Sequence, residues 1–425
     1  MNTRYQTYAK AHTRKEGYYA GLLLLVWPIL AALSAFRNYR KPWAKNVFWA
    51  FCAFYGFVFA VGAESEGMDI MWYIEDFQLL HTQSLGLSEI IQYFRDSGEI
   101  DILRTAIAYF LSRITSEAAA LTMVYGAIFG FFLSRNIWFL LERLEGEIAP
   151  VTLLILTCFF LVNPIWNING FRMWTAAHVF LYGLLPYLFD GKKSSLWIAA
   201  LSVMVHFSFI VPVGVLIGYV FLGNWLTLYF GFYISTLFIS ELNITAFNDL
   251  MQAYAPEILQ ERTMGYRSDA VIEAREHREV TANWYVVWYG RALTYSIMGF
   301  LVILFVQGKT FIEKNIGWHS LFSFTLLFYG VANILSTLPS GGRFLTVANL
   351  CALALIALYI QNRPQEKLMK RFVTVAMPAL LLFIVVSVRV GLYSISATAV
   401  MGNPVVALFI MGEHLSLNDV MRMIL

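Results

Sequence analysis

The chain of 425 residues is built mostly from apolar runs that are long enough, or nearly so, to cross a membrane. A helix needs about 20 apolar residues to span the hydrocarbon core of a bilayer. Runs that approach this length are Tyr18–Phe36, Asn46–Ala63, Ala118–Leu133, Ala149–Leu161, Met173–Phe189, Leu226–Ser240, Trp284–Val306, Trp318–Leu338, Phe344–Ile360 and Phe372–Val390. A further region, 196–222, is interrupted by His206 and Pro212 and predicts two short helices that meet within the membrane. The pattern predicts an all-α polytopic membrane protein with about twelve transmembrane helices.

Composition excludes a soluble protein. Hydrophobic residues make up 59% of the chain and charged residues only 13%, whereas soluble domains carry about 25% charged residues. The mean hydropathy is +0.63. The net charge of +3 is too small to indicate nucleic-acid binding. No signal-peptide cleavage pattern follows the polar start, so we expect the first apolar run to be a retained anchor. No soluble domain is visible in the sequence, and we expect residues 1–425 to form a single integral membrane domain. A weaker apolar patch, 397–411, is broken by Gly402-Asn403-Pro404 and suggests a re-entrant segment.

Lysine distribution predicts the orientation. The connections 37–45, 134–148, 190–194, 307–317 and 361–371 contain Lys41, Lys45, Lys192, Lys193, Lys309, Lys314, Lys367 and Lys370. The loops on the other side contain none. Cytoplasmic loops of membrane proteins are enriched in positive charge, so we assign the lysine-rich side to the cytoplasm. The N-terminal tail, with Lys10 and Lys15, is then expected outside and conflicts with this rule.

Arginine follows the opposite distribution. The outer connections contain Arg95, Arg104, Arg113, Arg172, Arg262, Arg267, Arg275, Arg278, Arg343 and Arg422. Two of these connections are long, and we interpret residues 64–117 and 241–283 as the first and second extracytoplasmic loops. Arginine without lysine suggests capture of phosphate, because the planar guanidinium binds it in a bidentate manner. The alternative is that these arginines pair with the many acidic residues of the same loops.

The turn NPIWNINGFRMW, residues 163–174, separates two apolar runs and places Arg172 at the start of the second. An arginine in this position is costly in or near hydrocarbon. Its presence suggests that a large anion is held at the membrane surface, and we interpret this anion as a lipid-linked diphosphate. The alternative is an arginine whose side chain extends to the interface and anchors the helix.

Several short motifs occur in an order that resembles the Wzy/EpsG family of polysaccharide polymerases. They are Glu66-Gly67-Met68-Asp69 with Tyr73 and Phe77, then Gly170-Phe171-Arg172 with Ala176-Ala177, then Val205-His206-Phe207-Ser208, and finally Gly342-Arg343-Phe344. The resemblance covers about residues 20 to 390. This chain has Met173 where the family commonly has glutamine, which leaves no amide at that position.

The resemblance implies a GT-C-like helical bundle that joins polyprenyl-diphosphate-linked oligosaccharides into O-antigen or exopolysaccharide. It implies a bacterial inner-membrane enzyme with its active site on the periplasmic or outer face and no metal or other cofactor. Its partners would be an undecaprenyl-diphosphate-linked oligosaccharide as donor and another as acceptor, membrane lipid, and a chain-length regulator protein, with no nucleic acid. The site would also include Tyr73 and Asn169 as substrate-binding residues.

Two further groups of residues are candidates for the chemistry. His206, Asp69 and Glu66 are the candidate catalytic residues, since glycosyl transfer to a hydroxyl is helped by a group that accepts its proton. Arg343, Arg267, Arg262 and Arg291 join Arg172 as candidate diphosphate ligands. For each of them a structural role is the alternative: a helix-end acid, a histidine bonded to a carbonyl at the helix break, or a solvated charged helix.

Two other functions remain open on the sequence. An O-antigen ligase would use a similar donor and pass the glycan to lipid A core, and His277 in the second loop keeps this alternative open. A transporter for lipid-linked glycans is the other alternative, although such proteins usually contain internal repeats. The sequence contains no His-Glu-x-x-His motif, cysteine pair or clustered aspartate motif for a metal.

Overall fold

The computed structural model describes residues 3–61, 69–83, 86, 88–89, 92, 101–239, 281–338, 340–363, 366–410 and 414–424, with side chains from residue 15 onward. Throughout these ranges the chain is almost entirely helical, and its only β pairing is an isolated bridge between Ser396 and Ser416. This confirms the prediction of an all-α fold.

The α-helices are numbered here in chain order. They are α1 (Thr3–Val26), α2 (Pro28–Arg37), α3 (Ala44–Phe57), α4 (Asp69–Gln83), α5 (Ile102–Ser112), α6 (Ala118–Leu141), α7 (Pro150–Val162), α8 (Phe171–Asp190), α9 (Ser195–Val205), α10 (Ile210–Leu222), α11 (Leu226–Thr236), α12 (Trp284–Ile303), α13 (Lys309–Ile312), α14 (Ile316–Ser336), α15 (Phe344–Asn362), α16 (Lys367–Gly391), α17 (Ala397–Met401), α18 (Pro404–Phe409) and α19 (Leu417–Ile424). Short 3₁₀ helices precede α8 (Ile165–Gly170), α10 (Phe207–Phe209) and α15 (Gly341–Arg343).

Six stretches of helix in the described chain are long and apolar enough to cross a membrane: α6, α7–α8, α12–α13, α14, α15 and α16. The protein is therefore an all-α membrane protein. Helix α15 lies at its centre, and nearly all of its residues are buried. Cys52, Cys158 and Cys351 are buried free thiols.

All the lysine-bearing connections meet at one end of the bundle, here called the lysine face. Arg143 forms a 2.9 Å ion pair with Asp190, and the Gln361 side chain donates to the carbonyl of Glu145. The remaining connections are joined by the Lys45–Glu142 ion pair and by the packing of Gly317 against Phe189 and of Gly308 against Tyr359. The grouping of the loops predicted from lysine is thus confirmed.

Helices α1 and α2 form a hairpin, and the expectation of a single straight span over Tyr18–Phe36 is wrong. Lys41 and Glu16 form a 2.9 Å ion pair, and Gly17 packs against Trp43, so both arms end at the lysine face. Pro28 starts α2 without a backbone N–H, and the chain reverses at Trp27. In this hairpin residue 16 lies on the same side as the lysines. The basic N-terminal tail therefore no longer conflicts with the rule that places positive charge on the cytoplasmic side.

A cysteine pair at residues 17 and 43 should report this hairpin directly. We expect Gly17→Cys/Trp43→Cys to form a disulfide under mild oxidation, because a Cβ added at Gly17 would lie 3.1 Å from the Cβ of Trp43, close to the separation that a disulfide needs. A straight helix over the 20 residues between Gly17 and Phe36 would separate the two positions by about 30 Å. Mobility on a non-reducing gel after cleavage of the chain between the two positions gives the readout, and Gly17→Cys alone is the control. No disulfide in the double variant would favour a single span instead.

Helices α9 and α10 form a second hairpin, whose tip is His206. The backbone there is extended (φ −150°, ψ 119°) and ends α9. Helix α10 returns to the lysine face, where Tyr219 donates to the carbonyl of Ser320 near the start of α14. This confirms the predicted pair of short helices. The hairpin carries its histidine to the far end of the bundle.

The C-terminal segment is also re-entrant, as predicted. The chain leaves at Ile395–Ala397 and returns beside itself, because Ala397 N donates to Leu415 O and Leu417 N donates to Ile395 O. Its base lies opposite the lysine face, near the carbonyl of Ser394 that accepts from Tyr55. Its helix α17 meets the tip of the α1–α2 hairpin, where Trp27 Nε1 donates to Val400 O at 2.8 Å.

The interval 64–117 contains buried helices as well as loop. Helices α4 and α5 pack on each other and on the bundle, with Tyr73, Phe77 and Leu80 fully buried. The apolar face of α4 explains this burial, because Tyr73, Phe77 and Leu80 recur at spacings of four and three residues. The predicted amphipathic stretch 87–94 lies largely outside the described residues, as does most of the second loop, 241–283.

Candidate functional site

A polar cluster lies at the end of the bundle opposite the lysine face. Helix α8 runs from Arg172 to Asp190 over a rise of about 27 Å, and Asp190 is at the lysine face. Three elements meet at the Arg172 end: α4, the start of α5, and the tip of the α9–α10 hairpin. The cluster therefore lies where a transmembrane bundle would meet the opposite membrane surface.

Asp101 is the centre of this cluster and is 98% buried, with 2% of its surface exposed. Its Oδ2 accepts from Arg172 Nη1 at 3.1 Å and contacts His206 Nδ1 at 2.9 Å. Its Oδ1 accepts from the backbone N–H of Phe207 at 2.8 Å. An aspartate just before a helix usually caps that helix, but Asp101 makes no cap bond to α5. Its carboxylate instead joins α8 to the tip of the α9–α10 hairpin.

Arg172 is held from a second side by α4. Its Nε donates to Tyr73 Oη at 3.0 Å, and Tyr73 Oη donates to Asp69 Oδ2 at 3.2 Å. Arg172 remains 19% exposed and Asp69 is exposed. The result is one continuous hydrogen-bonded chain from Asp69 at the surface to His206 inside. It fixes the position of the guanidinium at the first turn of α8.

A buried ion pair supports α4 behind this chain. Arg104 Nη1 bonds to Asp76 Oδ2 at 2.7 Å, and both side chains are buried. The guanidinium of Arg104 also lies 4.6 Å from the ring centre of Trp72, and Arg172 lies 5.6 Å from the same ring on its own side. Removing one member of a buried pair leaves a charge uncompensated, so Arg104 holds the aromatic residues of α4 in place.

The turn before α8 is fixed by amide side chains. Asn163 Nδ2 donates to the carbonyl of Trp174 at 2.8 Å, and Asn167 Nδ2 donates to Asn163 Oδ1 at 2.9 Å. His178 Nε2 lies 2.9 Å from the carbonyl of Asn163. These bonds satisfy polar groups that the helix break at Pro164 leaves without helical partners. They hold the 3₁₀ helix that presents Arg172.

The contact with Asp101 sets the tautomer that we assign to neutral His206. A carboxylate beside Nδ1 favours the proton on that nitrogen, which leaves Nε2 as the acceptor. The side chain is 17% exposed, so a ligand at the cluster has access to the ring. Asp101 and His206 form an oriented carboxylate–imidazole pair, which is an arrangement suited to accepting a proton.

Asp101 is ionised in this cluster. Burial alone would raise its pKa, but the hydrogen bonds from His206 and the Phe207 amide and the charge of Arg172 together hold it below the ordinary value of 3.8. Tyr73 behaves differently, since burial raises its pKa well above the ordinary value of 10.0. Tyr73 therefore stays protonated and donates to Asp69, while Asp101 stays negative and orients Arg172 and His206.

The lowered pKa of Asp101 predicts a pH-dependent stability. A carboxylate with a depressed folded pKa stabilises the fold above its unfolded pKa and loses that contribution as pH falls through the folded value. We expect Asp101→Asn to unfold at a lower temperature than the wild type at neutral pH, with a difference that narrows below pH 3.8. Thermal unfolding of both proteins in detergent from about pH 2 to about pH 7, a window that includes the acid range over which Asp titrates, measures it. A difference that stays constant through the acid range contradicts the assignment.

The structure brings together four of the predicted site residues: Arg172, His206, Tyr73 and Asp69. Asn169 lies in the 3₁₀ helix just before Arg172. Arg343 is exposed in the 3₁₀ turn before α15, and this turn packs on α14 and α15. Arg291 is exposed on α12. Glu66, Arg262, Arg267 and His277 lie outside the described residues.

Asp101 is the residue that the sequence interpretation missed. Its local signal is an aspartate directly before the apolar helix α5, which by itself predicts only a helix cap. The acidic candidates chosen from the sequence were Glu66 and Asp69. In the structure Asp101 bonds Arg172 directly, and Asp69 acts through Tyr73. The separation of 71 residues between Asp101 and Arg172 explains why only the fold reveals the pair.

No metal centre is formed by the described part of the chain, since no group of three or more His, Cys, Asp and Glu side chains is placed to hold an ion there. The polar cluster can instead stabilise an anion through Arg172 and accept a proton through His206. These are the chemical capacities on which a function must rest.

Comparisons with known proteins give no match. No family model matches the sequence, and neither the curated proteins nor the solved structures include a significant match. The fold and the cluster define the class of the protein as an all-α membrane protein with an ionised, hydrogen-bonded site at one end of its helices.

Proposed function

We propose that this protein is a membrane glycosyltransferase that polymerises polyprenyl-diphosphate-linked oligosaccharides into O-antigen or exopolysaccharide. The observation that carries the proposal is the sharing of one buried carboxylate, Asp101, by Arg172 and His206. It places an anion-binding group and a proton acceptor side by side. Transfer of a glycan from a diphosphate carrier to a hydroxyl is helped by both.

His206 is the proposed general base. Asp101 holds Nδ1 and leaves Nε2 directed to accept the proton of an acceptor hydroxyl. Asp101 itself is a poor base, because its pKa is lowered. Its role is to orient the imidazole and to stabilise the positive charge that forms when the ring is protonated. Asp69 supports the arrangement from the surface through Tyr73.

Arg172 is the proposed ligand of the donor diphosphate. It is fixed at two of its nitrogens by Tyr73 and Asp101 and is partly exposed. A guanidinium that is already positioned stabilises developing negative charge without reorganisation. The first turn of α8 reinforces this, because the positive end of a helix dipole also favours an anion. We assign Arg343 and Arg291 as further diphosphate ligands, together with Arg262 and Arg267.

The proposed step is a displacement at the anomeric carbon of the donor. The acceptor hydroxyl oxygen forms a bond to that carbon, and its proton passes to His206 Nε2. The bond between the anomeric carbon and the diphosphate oxygen breaks, and its electron pair remains on the diphosphate beside Arg172. Atoms and charge balance without an oxidant or reductant. The proton on His206 then leaves to water at the membrane surface.

The proposal includes the location and the fold type. The lysine face would be cytoplasmic under the rule that cytoplasmic loops are enriched in lysine and arginine, so the cluster would face the periplasm or exterior of a bacterial inner membrane. We further propose a GT-C-like bundle. Of the twelve segments counted in the sequence, the first is then the α1–α2 hairpin, and two others are the short helices α9 and α10.

Chain elongation by the purified protein tests this function. Protein in liposomes would receive a synthetic polyprenyl-diphosphate-linked repeat unit, with and without a metal chelator. We expect products that lengthen by whole repeat units in both reactions, resolved by gel electrophoresis and mass spectrometry. A substrate of unchanged length, at a protein concentration that binds it, contradicts the proposal. Transfer to lipid A core instead of to another carrier-linked unit would identify a ligase.

A second candidate, transport of a lipid-linked glycan, is favoured by one specific observation. Two re-entrant hairpins enter the bundle from opposite ends and meet where Trp27 Nε1 donates to Val400 O. Broken helices that meet within the membrane are a feature of secondary transporters. A fluorescent lipid-linked glycan that crosses the bilayer chemically unchanged would favour this candidate, and a lengthened product on the original side would favour the polymerase.

A further inference from the structure

A lateral groove runs between α12 and α16 on the outside of the bundle. It has a volume of about 800 Å³ and is lined by Trp284, Trp288, Ala292, Pro378, Ala379, Leu381, Leu382 and Val385. Every lining residue is apolar or aromatic, and the Trp284, Trp288, Leu381 and Val385 side chains are exposed. In a membrane protein such a surface faces lipid, so the occupant that it fits is a hydrocarbon chain.

The groove ends at a cation. On α16 the lining residues Leu382 and Val385 continue along the same face to Arg389, one turn further on. The guanidinium of Arg389 lies 5.2 Å from the ring centre of Tyr285, which is next to Trp284 at the start of α12. The groove thus combines an apolar channel about 12 Å long, from Trp284 to Ala292, with a positive charge at the end away from the lysine face.

That end of the groove adjoins the polar cluster. Gly391, two residues after Arg389, packs directly against Trp166, where a Cβ added to the glycine would lie 3.0 Å from the indole. Trp166 belongs to the 3₁₀ helix that leads into Arg172. Six residues of such backbone cover on the order of 12 Å. A headgroup near Arg389 therefore lies beside the 3₁₀ helix that leads to Arg172.

We propose that the α12–α16 groove holds the isoprenoid chain of a polyprenyl-diphosphate lipid, with its diphosphate passing between Arg389 and Arg172. This inference rests on the proposed function and adds the route by which the substrate reaches the site. An ordinary phospholipid has the same general chemistry, a hydrocarbon chain with a phosphate. The continuity of the groove with the Arg172 turn favours the carrier lipid, because only that lipid needs to reach the cluster.

Photocrosslinking tests the location. Undecaprenyl diphosphate with a diazirine in its isoprenoid chain would be bound to the full-length protein in liposomes, irradiated, and mapped by mass spectrometry. We expect the label on peptides of α12 and α16 between Trp284 and Ala292 and between Pro378 and Val385. An excess of unlabelled phosphatidylglycerol should leave the labelling unchanged. Loss of the label in the presence of that excess would show an unselective lipid surface and would overturn the inference.

Filling the groove provides the matched comparison. Ala292→Trp and Ala379→Trp each place a large ring in the channel, and we expect at least a tenfold loss of label on both helices. Val375→Trp is the control, since Val375 is exposed on α16 but does not line the groove. Labelling that maps to other helices while the lipid still binds overturns this inference alone. No binding of the diphosphate lipid at all overturns the proposed function as well.

Discussion

Arg172→Ala should reduce polymer formation by on the order of 10²–10³-fold, the usual effect of removing one preorganised group that stabilises a developing anion. The expected loss is large because Tyr73 and Asp101 fix this guanidinium beside His206, where the proposed bond breaks. Arg172→Lys should recover little, since a compact ammonium lacks the planar, separated N–H groups with which the guanidinium bonds Tyr73 and Asp101. Rates of elongation with the purified variants measure the effect.

The control for this change is Arg143→Ala. Arg143 also pairs with an aspartate, Asp190, but at the lysine face. We expect normal elongation from this variant, provided that both proteins are equally abundant and correctly inserted. Normal elongation by Arg172→Ala would show that the arginine only anchors its helix, as the structural alternative holds.

Asp101→Asn should have a similarly large effect, on the order of 10²–10⁴-fold, through a different cause. The amide has no charge to balance Arg172 and no longer favours the proton on Nδ1 of His206, so the imidazole loses its defined tautomer. We expect the loss mainly in the maximal rate, with a changed dependence of rate on pH. Asp190→Asn, which also removes an aspartate paired with arginine, should leave the rate and its pH profile unchanged.

A merely structural Asp101 would behave differently. In that case Asp101→Asn would lower the yield of folded protein or its unfolding temperature, while each folded molecule would keep the wild-type rate and pH profile. The pH profile therefore separates a positioning role from a structural role, even where the variant is less stable.

The apolar pattern was sufficient to predict an all-helical membrane fold and the grouping of its loops. The spacing of Tyr73, Phe77 and Leu80 and the break at His206 are local features, so they could be interpreted without the structure. The α1–α2 hairpin was missed because a tryptophan–proline step inside an apolar run also occurs in kinked spans. Its evidence is the ion pair of Glu16 with Lys41, which only the folded chain brings together.

The site was predictable in part. Arg172 and Asp69 were identified at segment ends and His206 at a break within an apolar stretch, where an ionisable residue beside hydrocarbon suggests a role. Tyr73 was identified from the family resemblance. Asp101 was not identified, because a carboxylate before a short helix normally serves as its cap. What the sequence could not supply is which acid balances which arginine. That depends on packing of α4 and α5 against the bundle.

The central claim is that Arg172 in its hydrogen-bonded setting recognises a diphosphate on a lipid. Affinities of the wild type and of Arg172→Ala for undecaprenyl diphosphate and undecaprenyl monophosphate, measured by native mass spectrometry in one membrane mimic, test it most directly. We predict that the wild type prefers the diphosphate at least tenfold and that Arg172→Ala binds both lipids equally. Equal binding of the two lipids by the wild type, or an unchanged preference in Arg172→Ala, would contradict the account.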